Sequence, residues 1–123
     1  APATATAGVG RGFAVLGFAG MPRRFPGLVE IGGVFLRHGG VWFDELEKLG
    51  LPILVGASRK RFIAGMLEPD EAGEVSNSRR DLATAVLTAL LLQRKLWGIR
   101  VHNVLATTDA IDVVEALRNA ESQ

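Results

Sequence analysis

The chain has 123 residues, of which 48% are hydrophobic and 22% are charged, a composition typical of a folded globular domain. It contains no cysteine, which excludes disulfide scaffolds, thiol catalysis and thiolate metal sites and favours a reducing, cytoplasmic location. Fourteen basic and 13 acidic residues leave a formal net charge of +1, so we expect no nucleic acid and no membrane among its partners. The longest strongly apolar stretch, residues 82–92, is shorter than the roughly 20 residues that a membrane-spanning helix needs.

Residues 1–40 differ in composition from the rest of the chain. They hold 10 of the 15 glycines and four arginines against a single acid. We interpret them as a Gly-rich segment of uncertain structure, with a frayed start at residues 1–7 and a loop around Pro22 and Pro26. The apolar run Phe13–Phe18 fits either a buried strand or a turn in the core, because periodicity does not distinguish the two over so short a run.

From residue 41 onward, apolar positions recur with regular periods. A helix that begins at Val41 is predicted to end at Gly50, where glycine provides a left-handed C-terminal cap. The aliphatic run of residues 51–56 then predicts a strand that is buried on both faces, as in a parallel sheet covered by helices. The triplet Ser58–Lys60 follows this strand directly.

A long helix is predicted after a polar insert. Ser78 is its predicted N-cap, Asp81 is expected in its first turn near the positive end of the helix dipole, and Gly98 is expected to end it. Its predicted apolar stripe consists of Leu82, Val86, Ala89, Leu90 and Leu96 or Trp97.

The last strand and the last helix complete the pattern. Residues 99–104 alternate aliphatic with polar side chains, so Arg100 and His102 are expected to face away from the core. Thr107 or Thr108 is then predicted to cap a helix over residues 109–119. The predicted inward side of this helix consists of Ala110, Val113, Val114 and Leu117.

Alternating strands and helices predict an α/β fold with parallel strands and right-handed crossovers. In such sheets, ligands bind beyond the carboxyl ends of the strands, where Ser58–Lys60 and the pair Arg100 and His102 are expected. Several cations with an imidazole at one rim are suited to capture phosphate or carboxylate, and pyrophosphate fits best. The alternative is that these are solvated loop charges and a structural histidine.

Three motifs, at residues 51–63, 80–85 and 97–104, occur in the order and at the spacing of the carboxyl-terminal third of dihydropteroate synthase, which the chain resembles. The resemblance implies that residues 41–123 form the C-terminal part of a pterin-binding (β/α)8 TIM barrel. It also implies a folate-pathway transferase that joins 4-aminobenzoate to dihydropterin pyrophosphate and releases pyrophosphate. Mg²⁺ is expected to arrive bound to the substrate pyrophosphate, with no protein ligand for it in this chain.

The resemblance also implies a role for each residue at the predicted rim. Lys60 and Arg100 are the expected catalytic residues: Lys60 contacts the pterin, and Arg100 stacks on the pterin and reaches the pyrophosphate. His102 is expected to bind the pyrophosphate, and Ser58 and Arg59 to shape the pocket for the aminobenzoate. All five are therefore predicted to bind substrate.

The sequence departs from the family pattern in several places. Family members are about twice as long, and the acidic residues that hold their pterin ring are not recognisable in residues 1–40. Asn103 also stands where the family usually has Asp. We consider a fragment of a full barrel, a degenerate paralogue and an altered product, and we favour the fragment.

Two further expectations follow from these departures. A fragment with open sheet edges is expected to form a homodimer or a larger oligomer, with Leu87, Leu91 and Val114 facing a partner by family analogy. The competing functional hypothesis is a catalytically inactive homologue that binds pterin or phosphate and serves as a binding or assembly module.

Overall fold

A computed structural model of the chain describes residues 4–6, 14–18, 29–31 and 45–122. Within these ranges, five strands form one sheet in the order β1-β2-β5-β4-β3. β2, β5, β4 and β3 are mutually parallel, and β1 adds to β2 in the antiparallel direction. The strands are β1 Thr4–Thr6, β2 Ala14–Leu16, β3 Val29–Ile31, β4 Ile53–Val55 and β5 Gly98–Arg100.

The described part of the chain after β4 contains three helices: α1 (Arg61–Gly65), α2 (Asn77–Leu91) and α3 (Val104–Glu121). The predicted alternation of strands and helices is therefore confirmed, whereas α1 was not predicted. None of these helices is both long and apolar enough to cross a membrane, among the residues described.

The three strands from residues 1–40 change the expectation for that segment. Thr4–Thr6 is a strand although residues 1–7 were expected to fray, because its backbone pairs with β2. The run Phe13–Phe18 contains the buried strand β2, so the strand interpretation is right. The loop around Pro22 and Pro26 lies outside the described residues, and β3 (Val29–Ile31) was not predicted.

Gly50 ends a helical turn at residues 45–47, and its φ of +69° confirms the predicted left-handed cap. The backbone N–H of Gly50 donates to the carbonyl of Glu47 at 3.2 Å. An L-residue with a side chain pays a steric cost in this conformation, so glycine is the residue that fits here. The predicted start of this helix at Val41 lies outside the described residues.

Both helix caps predicted from serine and threonine positions are wrong by a few residues. Ser76, not Ser78, caps α2, and its side chain accepts the backbone N–H of Arg79. Asn103, not Thr107 or Thr108, caps α3 by accepting the N–H of Ala106 at 3.0 Å. Ser, Thr and Asn are all good N-caps, so local preference alone does not choose between neighbours in sequence.

α2 ends at Leu91 and not at Gly98, because the chain must already be extended at Trp97. The backbone N–H of Trp97 donates to the carbonyl of Ile53 at 2.9 Å, and its carbonyl accepts from Ala14 at 3.0 Å. These bonds tie Trp97 to two strands of the sheet. Gly98 is therefore the first residue of β5 and not a helix terminator.

The core lies between the sheet and the helices. Alternate residues of β2, β4 and β5 point to the helix side, where Ile111 of α3 meets them. The other side of the sheet buries a smaller cluster. The helix-side core contains Val15, Ile53, Val55, Ala57, Ile99, Val101 and Ile111, and the smaller cluster contains Ala14, Leu16 and Leu54.

The predicted apolar stripes of α2 and α3 are wrong for most of their large side chains, which lie on the solvent side. The smaller members Ala89 and Ala110, together with Val114, are half-buried, and Leu96 and Trp97 pack against the core. Leu82, Val86 and Leu90 of α2 are 65%, 54% and 63% exposed, and Val113 and Leu117 of α3 are also exposed. The buried residues of α2 are instead Asp81, Thr84, Ala85 and Thr88.

Two threonines explain how a polar-looking helix face becomes the buried one. The hydroxyl of Thr84 donates to the carbonyl of Arg80 at 2.8 Å, and that of Thr88 donates to the carbonyl of Thr84 at 2.8 Å. With each hydroxyl bonded inside the helix, these short side chains present methyl groups to the core without a desolvation cost for an unmade hydrogen bond.

Candidate functional site

The carboxyl ends of β4 and β5 lie side by side, and one side-chain contact joins the segments that follow them. The hydroxyl of Ser58 lies 2.9 Å from Nδ1 of His102 and accepts the backbone N–H of His102 at 3.1 Å. The hydroxyl hydrogen of Ser58 is able to donate to Nδ1 of a neutral ring, whereas the opposite direction requires a hydrogen on Nδ1. In the tautomer with an unprotonated Nδ1, the second ring nitrogen, Nε2, carries the hydrogen and is a donor for a ligand.

The side chain of Arg59, which follows Ser58 in the chain, forms an ion pair with Asp81. Its Nε and one terminal nitrogen donate to the two carboxylate oxygens of Asp81, each at 3.0 Å. The Asp81 side chain is 7% exposed and that of Arg59 is 33% exposed. The hydrogen bond to Asp81 is the main reason why the pKa of Arg59 lies above its ordinary value.

Phe18, which follows β2, completes the group of contacting side chains. Its ring stacks on the His102 imidazole, with 4.0 Å between ring centroids and 18° between ring planes. The guanidinium carbon of Arg100 lies 5.2 Å from the centre of the same ring, within cation–π range. Phe18 therefore joins the two polar residues predicted on β5.

The pKa of His102 lies below its ordinary value of 6.5. Partial desolvation of the ring is the largest cause, and the positive charges of Arg59 and Arg100 lower the pKa further, while the negative charge of Asp81 raises it. The neutral imidazole is therefore favoured, in agreement with the hydrogen bond to Ser58.

Lys60 is the one predicted site residue for which the structure shows no side-chain contact with this group, among the residues described. It is exposed and stands at the N-cap of α1 with an extended backbone. Its backbone N–H donates to the carbonyl of Ala57 at 3.2 Å, so it closes the turn that contains Ser58 and Arg59.

The structure therefore brings Ser58, Arg100 and His102 together and turns the Arg59 side chain toward Asp81. Phe18 was not predicted as a site residue, and Asp81 was expected only to interact with the helix dipole. The position of Asp81 did carry a signal, because it shares a helical face with Ala85 and Thr88 at intervals of four and three residues. Nothing near Phe18 in the sequence points to His102.

The charges of this cluster suit an anion. Arg59, Arg100 and Lys60 are cationic, and Asp81, the buried carboxylate among the described residues, is occupied by Arg59. No set of three His, Asp or Glu side chains suited to a metal ion occurs in residues 4–6, 14–18, 29–31 and 45–122.

Comparison with known proteins gives a consistent relationship. The sequence profile of the pterin binding enzyme family matches residues 41–102. The dihydropteroate synthase of Mycobacterium leprae is 44% identical over 79 residues, which cover 64% of this chain and 28% of that protein.

Two solved structures share the fold. The dihydropteroate synthase of Yersinia pestis with a sulfonamide drug complex superposes with a TM-score of 0.51 and 31% identity, over 65% of this chain and 27% of that one. The enzyme of Thermus thermophilus in complex with 4-aminobenzoate gives a TM-score of 0.56 and 28% identity, over 73% and 35% of the two chains. The parallel sheet is therefore part of a (β/α)8 barrel, as predicted.

The matched part of this chain spans about a quarter to a third of the length of these relatives. The match to the family profile covers half of the chain and ends at His102, so it includes all five residues predicted for the site. The chain belongs to the pterin binding enzyme family.

Proposed function

We propose that the chain carries the C-terminal substrate site of a dihydropteroate synthase. The observation that supports this most directly is the contact of Ser58 with His102, which joins two family motifs across 44 residues at one rim of the sheet. The substrates would be dihydropterin pyrophosphate and 4-aminobenzoate. The structure of the Thermus thermophilus relative contains 4-aminobenzoate, and that of the Yersinia pestis relative contains a sulfonamide drug.

In the proposed reaction, the amine nitrogen of 4-aminobenzoate forms a bond to the methylene carbon of the pterin. The bond from that carbon to the pyrophosphate oxygen breaks, the oxygen keeps the electron pair, and the amine loses one proton to solvent. Negative charge therefore grows on the departing oxygens. Arg100, and His102 through its Nε2 hydrogen, would stabilise that charge more in the transition state than in the bound substrate.

The rigidity of the strand favours this role for Arg100. Arg100 is the last residue of β5, and its side chain is held against the Phe18 ring. A donor fixed before the reaction avoids the free-energy cost of reorganising during it. Lys60 would contact the pterin from the adjoining turn, where its exposed side chain is available to a ligand.

The binding of Mg²⁺ together with the substrate pyrophosphate remains a prediction. The described residues offer no cluster of ligands for it, and Asp81 is already paired with Arg59. We therefore propose that any Mg²⁺ is carried by the pyrophosphate oxygens and is held by the substrate.

Calorimetric titration of the chain with inorganic pyrophosphate tests the site. We expect binding that weakens about tenfold or more in Arg100→Ala and in Lys60→Ala, since each variant loses a charge-assisted contact. Lys95→Ala, at an exposed position outside the cluster, is the matched control and should bind like the parent chain. Equal affinity in all four proteins would reject the assignment.

Turnover separates the enzyme from the competing hypothesis of a catalytically inactive binding module. Release of pyrophosphate on incubation with dihydropterin pyrophosphate, Mg²⁺ and 4-aminobenzoate, lost in Arg100→Ala, supports the transferase. Pyrophosphate binding without any release supports the binding module.

We also propose that the chain associates with a second copy. Leu87 and Leu91, which were expected to face a partner, pack against the core instead. The exposed apolar residues of α2 are Leu82, Val86 and Leu90, and Met66 nearby is 60% exposed. Light scattering coupled to size exclusion should show at least a dimer, which Val86→Lys should dissociate; a monomeric parent chain contradicts this proposal.

A further inference from the structure

We propose that Asp81 is a positioning residue that acts through Arg59 to hold Ser58 against His102. The inference concerns the chain's own contacts, and only its effect on ligand affinity rests on the proposed function. It assigns to the ion pair a role that differs from direct binding of an anion by Arg59.

The first observation is the backbone of Arg59, which has a φ of +59°. Arg59 is the only non-glycine residue with positive φ in the described part of the chain. A side chain in this region crowds the following carbonyl, so L-residues other than glycine seldom adopt it. Such a conformation persists where surrounding contacts enforce it.

The second observation is the turn in which Arg59 lies. The N–H of Lys60 donates to the carbonyl of Ala57, so residues 57–60 form a turn with Ser58 and Arg59 at its centre. A positive φ at the second central position is typical of a type II turn, where glycine or asparagine is the usual residue. Arginine is a poor choice for such a turn unless its side chain contributes something that glycine cannot.

What the Arg59 side chain contributes is its ion pair with the Asp81 carboxylate. Both of its oxygens accept from the Arg59 guanidinium, and its backbone belongs to α2, which packs on α3 and on α1. This bidentate contact fixes the orientation of the guanidinium as well as its distance from the Asp81 carboxylate. The turn is thereby attached to a helix of the core.

The attachment of the turn to α2 fixes the position of Ser58, which lies in the same turn. Its Oγ must lie within hydrogen-bond distance of two atoms of His102, and it precedes Arg59 in the same turn. A shift of the turn away from His102 by about 1 Å breaks both contacts, because it carries the two distances beyond the range of about 2.7–3.2 Å that is usual for hydrogen bonds. His102 then loses the partner that orients its ring.

Asp81→Asn gives opposite results under the two roles of Arg59. If Arg59 binds the anion directly and Asp81 competes for it, the variant binds inorganic pyrophosphate more tightly. If Asp81 positions the turn, the variant binds pyrophosphate about five- to tenfold more weakly, because Ser58 and His102 are displaced. Asp112→Asn removes the same charge from an exposed position of α3 and serves as the matched control.

Arg59→Lys is the second variant, since Asp81 is buried and its replacement is able to disturb folding. Lysine keeps the positive charge but lacks the planar guanidinium that donates two parallel hydrogen bonds to a carboxylate. Under our proposal it behaves like Asp81→Asn, whereas a simple electrostatic role predicts pyrophosphate affinity close to that of the parent chain.

The ligand-free imidazole ¹⁵N shifts of His102 provide a readout that does not depend on the proposed function. We expect Arg59→Lys to lose the Nδ1 signature of the hydrogen bond with Ser58 while the other backbone resonances stay in place. Unchanged His102 shifts in Arg59→Lys overturn the proposal. If the parent chain shows the Nδ1 signature and binds no pyrophosphate, the proposed function fails and the positioning role is still decided by these shifts.

Discussion

Ser58 and His102, which are 44 residues apart, share two contacts through a single oxygen: Oγ of Ser58 accepts the backbone N–H of His102 and lies 2.9 Å from its Nδ1. One contact fixes the backbone at the end of β5, and the other fixes the ring. The two family motifs are thus coupled before any ligand binds. This coupling gives Ser58 a structural role beside its predicted role in the site.

Ser58→Ala is expected to lower the free energy of unfolding by about 1–3 kcal/mol, because the buried hydroxyl is the acceptor for the His102 N–H. Urea unfolding followed by circular dichroism measures the change. Ser78→Ala, an exposed position in the first turn of α2, is the control and should change stability by no more than about 0.5 kcal/mol. An effect of equal size in both variants contradicts the coupling.

The protonation of His102 gives the second prediction. Its pKa is lowered in the folded protein, so the fold favours the neutral ring and the unfolded chain takes up a proton more readily. The contribution of His102 to stability is therefore present above its ordinary pKa of 6.5 and is lost as the pH falls through the lowered folded-state value. Urea unfolding at about pH 8 and about pH 5 should show this loss in the parent chain.

His102→Gln is the control for this pH dependence, because glutamine does not titrate. The difference in stability between the parent chain and His102→Gln should shrink between the higher and the lower pH. A pH-independent difference excludes a lowered His102 pKa. Added pyrophosphate should raise the pKa of His102 in an NMR titration, since a bound anion favours the imidazolium.

Phe18→Ala tests the stacking of Phe18 on His102. Removal of the ring rehydrates one face of the imidazole, so the pKa of His102 should rise toward its ordinary value, while Arg59 and Arg100 still lower it. An NMR titration of the His102 ring measures this shift. Phe18→Leu keeps apolar cover over the ring and should raise the pKa less; no difference between the parent chain and Phe18→Ala excludes the stack in solution.

The sequence predicted the features that depend on local pattern. Gly50 adopts the left-handed conformation expected of a C-terminal cap, and the alternation around β5 directs Ile99 and Val101 into the core, away from Arg100 and His102. Such features follow from one residue's conformational freedom or from a period of two.

What the sequence did not predict depends on contacts between distant segments. The inward face of α2 is chosen by its packing, and Thr84 and Thr88 occupy it because their hydroxyls are bonded within the helix. The Arg59 ion pair and the stack of Phe18 likewise join residues from different elements, so no local period encodes them. The predicted strand ends indicated the rim residues, and the resemblance to a known family added their roles, but neither assigned a site role to Asp81 or Phe18.

Asn103 explains how α3 accommodates a departure from the family pattern. Its side chain caps the helix, a role that Asp performs equally well. The free energy of unfolding of Asn103→Asp, measured in urea, should therefore lie within about 0.5 kcal/mol of that of the parent chain. That of Asn103→Ala should be lower by about 1 kcal/mol. A loss in Asn103→Asp as large as that in Asn103→Ala would show that the cap is not the role of this side chain.

A substitution at Gly98 tests whether β2 and β5 pair closely. This pairing needs its own test because β2 lies outside the segment that matches the family profile. A Cβ added at Gly98 would lie 2.6 Å from the carbonyl oxygen and 3.0 Å from the Cβ of Ala14, so the strands must move apart. Gly98→Ala should lower the free energy of unfolding by about 1–3 kcal/mol, as overpacking does. It should also disturb His102, because Phe18, which stacks on His102, lies two residues after the end of β2.

Gly65→Ala is the matched control, since a Cβ at this position of α1 meets nothing within 4 Å. Alanine favours helix and reduces the freedom of the unfolded chain, so this variant should be unchanged or more stable by up to about 1 kcal/mol. Urea unfolding of both variants measures the contrast. If Gly98→Ala is as stable as Gly65→Ala, β2 does not pair with β5 at this distance, and Phe18 is not held over His102 by the sheet.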